Sequence, residues 1–285
     1  MVTKADRFRD YYLRKGLTPY AVRRFRRIVR EHYRASGRDL PWRKTRDPYR
    51  ILVSEIMLQQ TQVDRVKPAY VRFLKAFPDV RALAKAPVKR LLRVWQGMGY
   101  NRRALALKRA AQTVVRDHGG RVPATIEELT ALPGIGPATA ADIVVFAYNR
   151  PALVVETNIR SVYIHLFFAP GRAVKDDEIV SLIERTMDRR NPRDWYNALM
   201  DFGAALKKSH VNPSRRSAAY RRQSPFEGSN RQARSRILRY LLEEGPRTPR
   251  LIVRDLGLDE VRTKKNLKQM AEEGLIRRSK TRYRV

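Results

Sequence analysis

A chain of 285 residues, 43% hydrophobic, has enough apolar side chain to bury a core and the length for one large domain or two modest ones. Lys and Arg number 61 against 28 Asp and Glu, a formal net charge of +33, so the expected partner is a polyanion, with nucleic acid ahead of an anionic membrane surface. With no cysteine, disulfides, thiolate nucleophiles, cysteine-held zinc and iron–sulfur clusters are excluded, and four His at positions 32, 118, 165 and 210, no two at ligand spacing, argue against a catalytic transition metal.

The first strong pattern is "YAVRRFRRIVREHYR" (20–34), where Val22, Phe25, Ile28, Val29, His32 and Tyr33 form one stripe and six Arg sit elsewhere. A loop follows, "GRDLPWRKTRDP" (37–48), and then a largely buried helix, "YRILVSEIMLQQT" (49–61). Spacing predicts further helices at 62–77, 79–85, 87–95, 101–118, 125–131, 137–148, 159–168, 175–189 and 193–207, punctuated by Gly and Pro. Residues 208–230 are polar, basic and broken by Pro and Gly, the mark of an irregular segment. Residues 231–285 predict helices at 231–244, 248–256 and 259–273, then a two-stranded hairpin, "LIRRSKTRYRV". That order matches a winged helix whose 259–273 helix would carry Lys264, Lys265 and Lys268 to DNA. Winged helices also dock proteins, but a basic helix and a basic wing favour DNA. No segment has the apolar run of a spanning helix, and the N-terminal stretch lacks a signal-peptide core, so a cytoplasmic, nucleoid-associated monomer is expected.

Three short stretches carry chemistry. In "LPGIGPATA" (132–140), Gly134 and Gly136 permit a tight turn, and a helix starting near Pro137 aims its first amides outward past Ala138 and Thr139. Such a turn either joins two helices or forms a nest for one phosphate. In "VVETNIRSV" (154–162), Glu156 stands in an apolar run, and on this stretch alone it reads as the cap of a helix beginning near Asn158. In "ILVSEIML" (51–58), Glu55 is flanked by apolar residues, where burial would raise its pKa and suit it to donate a proton.

Taken together these stretches resemble the helix-hairpin-helix (HhH-GPD) DNA glycosylase superfamily. Within it, "DPYRILVSEIMLQQTQV" (47–63), "LPWR" (40–43), "WQGMGYNRRA" (95–104) and "NALMDFGA" (197–204) are similar, in order, to segments of MutY-type adenine glycosylases. The resemblance covers roughly residues 20–207. It implies an all-α, two-lobed glycosylase domain over 1–207, with one bundle around 62–140 and a lobe from 20–61 and 145–207. After it come a basic segment (208–230) and a winged-helix-like module (231–285). The implied substrate is double-stranded DNA carrying a mispaired or damaged base, which must leave the stack to react. By resemblance Gln60 enters the duplex, while Met98 and Tyr100 press on the opposite base or its neighbours. Gly134, Gly136, Ala138 and Thr139 bind phosphate, a hairpin that also admits a monovalent cation. Glu55 protonates the leaving base. Glu156 becomes the carboxylate facing the sugar, oriented by Asn158.

Three departures qualify the resemblance. The sugar-side acid is usually Asp, and here it is Glu156. The position after Pro137 is Ala138, where bifunctional relatives carry the Lys that attacks C1′, so a monofunctional glycosylase without strand cleavage is expected. Finally, "LKKSHVNPSRRSAAYRRQ" follows "NALMDFGA" without the cluster cysteines, leaving Lys207, Lys208, Arg215 and Arg216 to contact phosphate without iron–sulfur metal. The expected activity is excision of adenine opposite 8-oxoguanine or guanine. Alternatives are excision of thymine or uracil opposite guanine, excision of hypoxanthine, or non-catalytic binding of damaged DNA on the same scaffold.

Overall fold

The computed structural model describes residues 4–285, and they are mostly helical. The helices are α1 (Lys4–Lys15), α2 (Pro19–Ser36), α3 (Pro48–Leu58), α4 (Val63–Ala76), α5 (Val80–Lys85), α6 (Val88–Val94), α7 (Arg102–Asp117) and α8 (Ile126–Thr130). They continue with α9 (Pro137–Tyr148), α10 (Thr157–Phe167), α11 (Asp176–Thr186), α12 (Pro192–Ser209), α13 (Asn230–Glu244), α14 (Pro249–Leu256) and α15 (Glu260–Glu272). Strands β1 (Arg277–Ser279) and β2 (Arg282–Arg284) pair antiparallel, Arg277 facing Arg284. Among the described residues no helix is long and apolar enough to cross a membrane.

The chain forms two compact units, each built from two separated stretches. Met1–Arg46 joins Pro137–Arg222, and Asp47–Gly136 joins Gln223–Val285. This redraws the expected boundaries. Residues 49–61 do not group with 20–34, because α3 is apolar on almost every face and takes its walls from α4 and α7. Tyr49 anchors it, its hydroxyl donating to the Phe77 carbonyl at 2.8 Å. Nor is 208–230 one independent segment. Its first part joins the first unit through a parallel bridge between Val174 and Ser217.

The first unit centres on aromatic rings. Thr18 caps α2 by accepting the Ala21 amide, Pro19 fixes the first turn, and Phe25 lands on the buried stripe. Its ring lies 4.9 Å from Phe167 and 5.5 Å from Trp195. Helix α1, absent from the expected elements, adds Phe8 and Tyr12, 5.3 and 4.8 Å from Phe167. Each such pair contributes about 0.5–1.5 kcal/mol beyond area burial, which lets a helix with one buried residue dock. Nearly every position of α9 from Thr139 to Ala147 is buried, so this helix runs through the core.

In the second unit α3–α8 form a bundle, and α13–α15 with the hairpin give the expected winged-helix order. Arg247 adds a third strand position by exchanging hydrogen bonds with Tyr283 at 3.1 and 2.8 Å. This module packs on the bundle, where Arg93 donates to the Leu242 carbonyl at 3.3 Å and Arg102 lies 3.9 Å from Glu273.

Candidate active site

Glu156 has extended backbone and caps α10. Its Oε1 accepts the amides of Asn158 and Ile159 at 2.8 and 3.2 Å, and its Oε2 accepts Asn158 Nδ2 at 3.4 Å. The capping role that its local sequence suggests is therefore present in the fold. The residue is more than a cap, because α12 packs closely against this turn. A Cβ at Gly203 would lie 2.1 Å from the Asn158 carbonyl oxygen, so only glycine permits the approach. One turn later on the same face, Lys207 Nζ donates to Asn158 Oδ1 at 2.8 Å. Burial pushes the Glu156 carboxyl above the usual carboxylate range, opposed first by the charge of Lys207 and then by the two amides and the Asn158 side chain. Burial likewise lowers Lys207, with Glu156 pulling it back up. Lys207 was expected on phosphate. It is instead half-buried beside the acid.

The second unit holds Glu55, Gln60, Met98 and Tyr100. Asp47 caps α3 through the Arg50 amide. Glu55 is half-buried on α3, and the Ser54 hydroxyl lies 3.5 Å from its Oε1. Just beyond the helix, Gln60 is exposed with φ 53°, and Tyr100 has φ 45°. Two bulky residues in the left-handed region cost roughly 1–3 kcal/mol each and persist only where neighbours impose the conformation. Arg103 imposes it. Its guanidinium donates to the carbonyls of Ile56 at 2.8 Å, Met57 at 3.2 Å and Gln59, to Thr61 Oγ1 at 3.0 Å, and to the carbonyls of Met98 at 3.3 Å and Gly99 at 3.4 Å. One buried cation, pushed down to about 10 by burial, thus ties the Gln60 turn to the Tyr100 turn. Met98 departs from expectation. It is 2% exposed, because the turn that lifts Tyr100 folds the Met98 side chain inward.

Tyr100 also meets the C-terminal segment. Its hydroxyl accepts from Gln223 and, at 3.1 Å, from Arg231, whose guanidinium lies 5.9 Å from the ring centre. Gln60, Tyr100, Arg103, Gln223, Arg231 and Arg234 line a cleft of about 890 Å³. Arg103, Gln223 and Arg231 went unnoticed in the sequence. The two Arg adjoining Tyr100 in "GYNRRA" were a local signal for the first, but nothing marks the others. Arg103→Met is expected to cost about 3 kcal/mol in urea unfolding, since several charge-assisted hydrogen bonds are lost together. Arg103→Lys recovers little, because an ammonium cannot span both turns. A loss under 1 kcal/mol in the Met variant would mean the turns hold themselves.

The hairpin runs from Leu132 to Gly136, with Ile135 N donating to the Leu132 carbonyl at 3.2 Å. Gly134 has φ 80°, and a Cβ there would meet Ala106 Cβ at 2.5 Å, so the turn requires glycine. Gly136 and Ala138 are exposed where α9 begins, while Thr139 is buried at 9% exposure and does not present its side chain as expected. A monovalent cation here would depend on backbone carbonyls alone. Among the described residues no cluster of His, Asp or Glu could hold a metal ion, and no step is assigned to one. Lys208, Arg215, Lys264, Lys265 and Lys268 are exposed, and Lys264 pairs with Glu260 at 2.6 Å. Arg216 is half-buried and spends its guanidinium on the carbonyls of Arg172, at 3.0 Å, and Ala169, which removes it from the phosphate set. His165 and His210, distant in sequence, meet edge to face with ring centres 4.8 Å apart, and burial with the neighbouring His210 lowers His165 to about 4.

Residues 53–186 match the family profile of the HhH-GPD superfamily base excision DNA repair proteins. An adenine DNA glycosylase of Mycobacterium tuberculosis is 34% identical over 229 residues, an alignment covering 72% of this chain and 74% of the relative. The chain belongs to the HhH-GPD base excision repair superfamily. An adenine DNA glycosylase of Buchnera aphidicola is 32% identical over 186 residues, covering 64% of this chain and 52% of that protein. Among solved structures, a thermostable thymine-DNA glycosylase superposes with a TM-score of 0.56 at 30% identity, over 65% of this chain and 88% of that one. Two of the MutY-like stretches that carry no catalytic residue also find a place in this HhH-GPD chain. Arg43 of "LPWR" and Asp201 of "NALMDFGA" form a buried ion pair at 2.8 Å.

Proposed function

We propose that this protein is a monofunctional DNA glycosylase that removes adenine facing 8-oxoguanine or guanine, acting on double-stranded DNA as a monomer in the cytoplasm. The observation that carries the reading is Glu156, a carboxylate held by the amides of Asn158 and Ile159 and linked through the Asn158 side chain to the Lys207 ammonium. In this reading Glu55 gives a proton to the leaving base as the bond from the base nitrogen to C1′ breaks. The sugar takes up positive charge, and the Glu156 carboxylate stabilises it. Water then adds at C1′ and releases a proton. The abasic strand stays intact, because Ala138 offers no amine. Gln60 and Tyr100, on turns held by Arg103, fill the space of the extruded base, and the cleft between them and Arg231 faces the base left behind.

The test is single-turnover base release from duplexes carrying A opposite 8-oxoguanine, G or C, T or U opposite G, and hypoxanthine opposite T, each split into halves with and without alkali. Strand breaks after alkali only, fastest for A opposite 8-oxoguanine, are expected. Fastest release of T opposite G would move the substrate to that of the thymine glycosylase the chain resembles. No release from any duplex, with binding retained, would leave a DNA-binding protein.

A further inference from the structure

We infer that Lys207 is a positioning residue that keeps Glu156 ionised and Asn158 oriented, a role separate from any contact with DNA phosphate. The inference rests on the glycosylase reading for its kinetic consequence but not for its geometry. Three facts place Lys207. Gly203 lets α12 approach the Asn158 backbone to a distance no other residue would allow. Four residues on, the Lys207 ammonium meets Asn158 Oδ1 at 2.8 Å, while Asn158 Nδ2 reaches back to Glu156 Oε2. The amide side chain is thereby fixed in one sense, oxygen toward the cation and nitrogen toward the carboxylate.

The neighbouring charges single out Lys207. Arg160, on the same helix as Asn158, is within electrostatic reach of Glu156, but its guanidinium is forked onto Asp176 at 2.8 and 2.7 Å. Arg38, near Lys207, donates to Asp201 at 2.6 Å. Among the described residues Lys207 forms no ion pair, its ammonium meeting Asn158 instead, and it is the cation that most opposes the effect of burial on Glu156. A buried carboxylate without a compensating charge takes up a proton. A carboxylate meant to face a positive sugar must not.

Two readouts test this. The first is single-turnover base release at saturating enzyme against pH, using the fastest duplex of the panel, for the native protein, Lys207→Met and Lys207→Arg. Lys207→Met is expected to lose at least about tenfold at the acid end and little at the alkaline end, because the acid limb moves to higher pH. Lys207→Arg restores the native limb. A loss equal at every pH, with weaker binding and a shallower salt dependence, would mark Lys207 as a phosphate contact and overturn the inference. The second is carboxyl 13C NMR titration of Glu156 in the free protein, which needs no turnover. Its midpoint is expected to rise in Lys207→Met and return in Lys207→Arg, and an unmoved midpoint in a folded Met variant overturns the inference. If the midpoint moves but the native protein releases no base from any duplex, the glycosylase reading fails while the coupling of Lys207 to Glu156 stands.

Discussion

Glu156→Gln is expected to reduce single-turnover base release about a thousandfold while leaving the fold and duplex affinity intact. The substitution is chosen for what it keeps. Glutamine retains Oε1, so the amides of Asn158 and Ile159 still find their acceptor and α10 stays capped. It removes the negative charge, and of the three hydrogen bonds to the carboxylate it gives up only the long one from Asn158 Nδ2, at 3.4 Å. If that charge stabilises the developing cation on the sugar, its loss is felt in the transition state alone, and effects on the order of 100–1000-fold follow from removing a single preorganised group. Glu156→Ala removes charge and cap together and is expected to add about 1 kcal/mol of destabilisation to the same loss of rate. Glu156→Asp keeps the charge but withdraws it by roughly 1 Å, a displacement that can cost on the order of 100-fold. The series separates capping from chemistry. Should Glu156→Gln retain more than a tenth of the native rate, the residue serves the helix and the catalytic charge lies elsewhere.

The two roles of Glu156 show why the sequence could be read only so far. An acid two positions before an Asn, in front of an amphipathic helix, is a capping signal on local grounds and a catalytic signal on family grounds, and here one carboxylate has the geometry of a cap linked through Asn158 to a half-buried cation. The helices themselves were legible because their caps and stripes are local, as with Thr18 and Pro19 before α2 or Asp47 and Pro48 before α3. Helix α1 was not, since what holds it is distant in the chain, Phe8 and Tyr12 against Phe167. The same limit applies to the site. Glu55, Gln60 and Tyr100 sit in recognisable stretches, but the arginine that shapes their turns does so through carbonyls more than 40 positions earlier in the chain. Lys207 looked like one more surface cation in a basic run until Gly203 brought its helix against Asn158. Charge density foretold a polyanionic partner without distinguishing cations that meet it from cations, such as Arg216, that hold the fold.

The largest effect on stability is expected at Asp201, which has no part in the proposed chemistry. Its side chain is 1% exposed and accepts four hydrogen bonds, from the Arg38 amide at 2.8 Å, Arg38 Nε at 2.6 Å, and Arg43 Nη1 and Nη2 at 2.8 Å each. Burial alone would raise the carboxyl, but the hydrogen bonds from Arg43 and Arg38 win and hold it below the usual carboxylate range. Asp201→Asn is nearly isosteric, yet it replaces two charge-assisted acceptors with one carbonyl and one NH2 that faces guanidinium donors. Removing one partner of a buried ion pair costs about 3–5 kcal/mol, and for a chain of this size each kcal/mol lowers Tm by roughly 2–4 °C. The sign with pH follows from the lowered carboxyl. The native protein has the full contribution above the unfolded-state value of about 3.9 and loses it as pH falls toward the lower folded-state value. The Asn variant lacks it throughout, so the difference in Tm between the two is expected to be constant from neutral pH down to about 4 and to close below that. Arg43→Met combined with Asp201→Leu removes the pair as a unit and is expected to recover part of the loss, since neither charge is then stranded. Equal Tm values for native and Asn proteins at neutral pH would mean that the two arginines find water or other acceptors as readily as they find Asp201. The effect should also reach the site without touching it. Asp201 lies two residues before Gly203 on α12, so loosening its anchor frees the helix that carries Lys207, and the rate of base release in the Asn variant should fall by more than any change in duplex affinity explains.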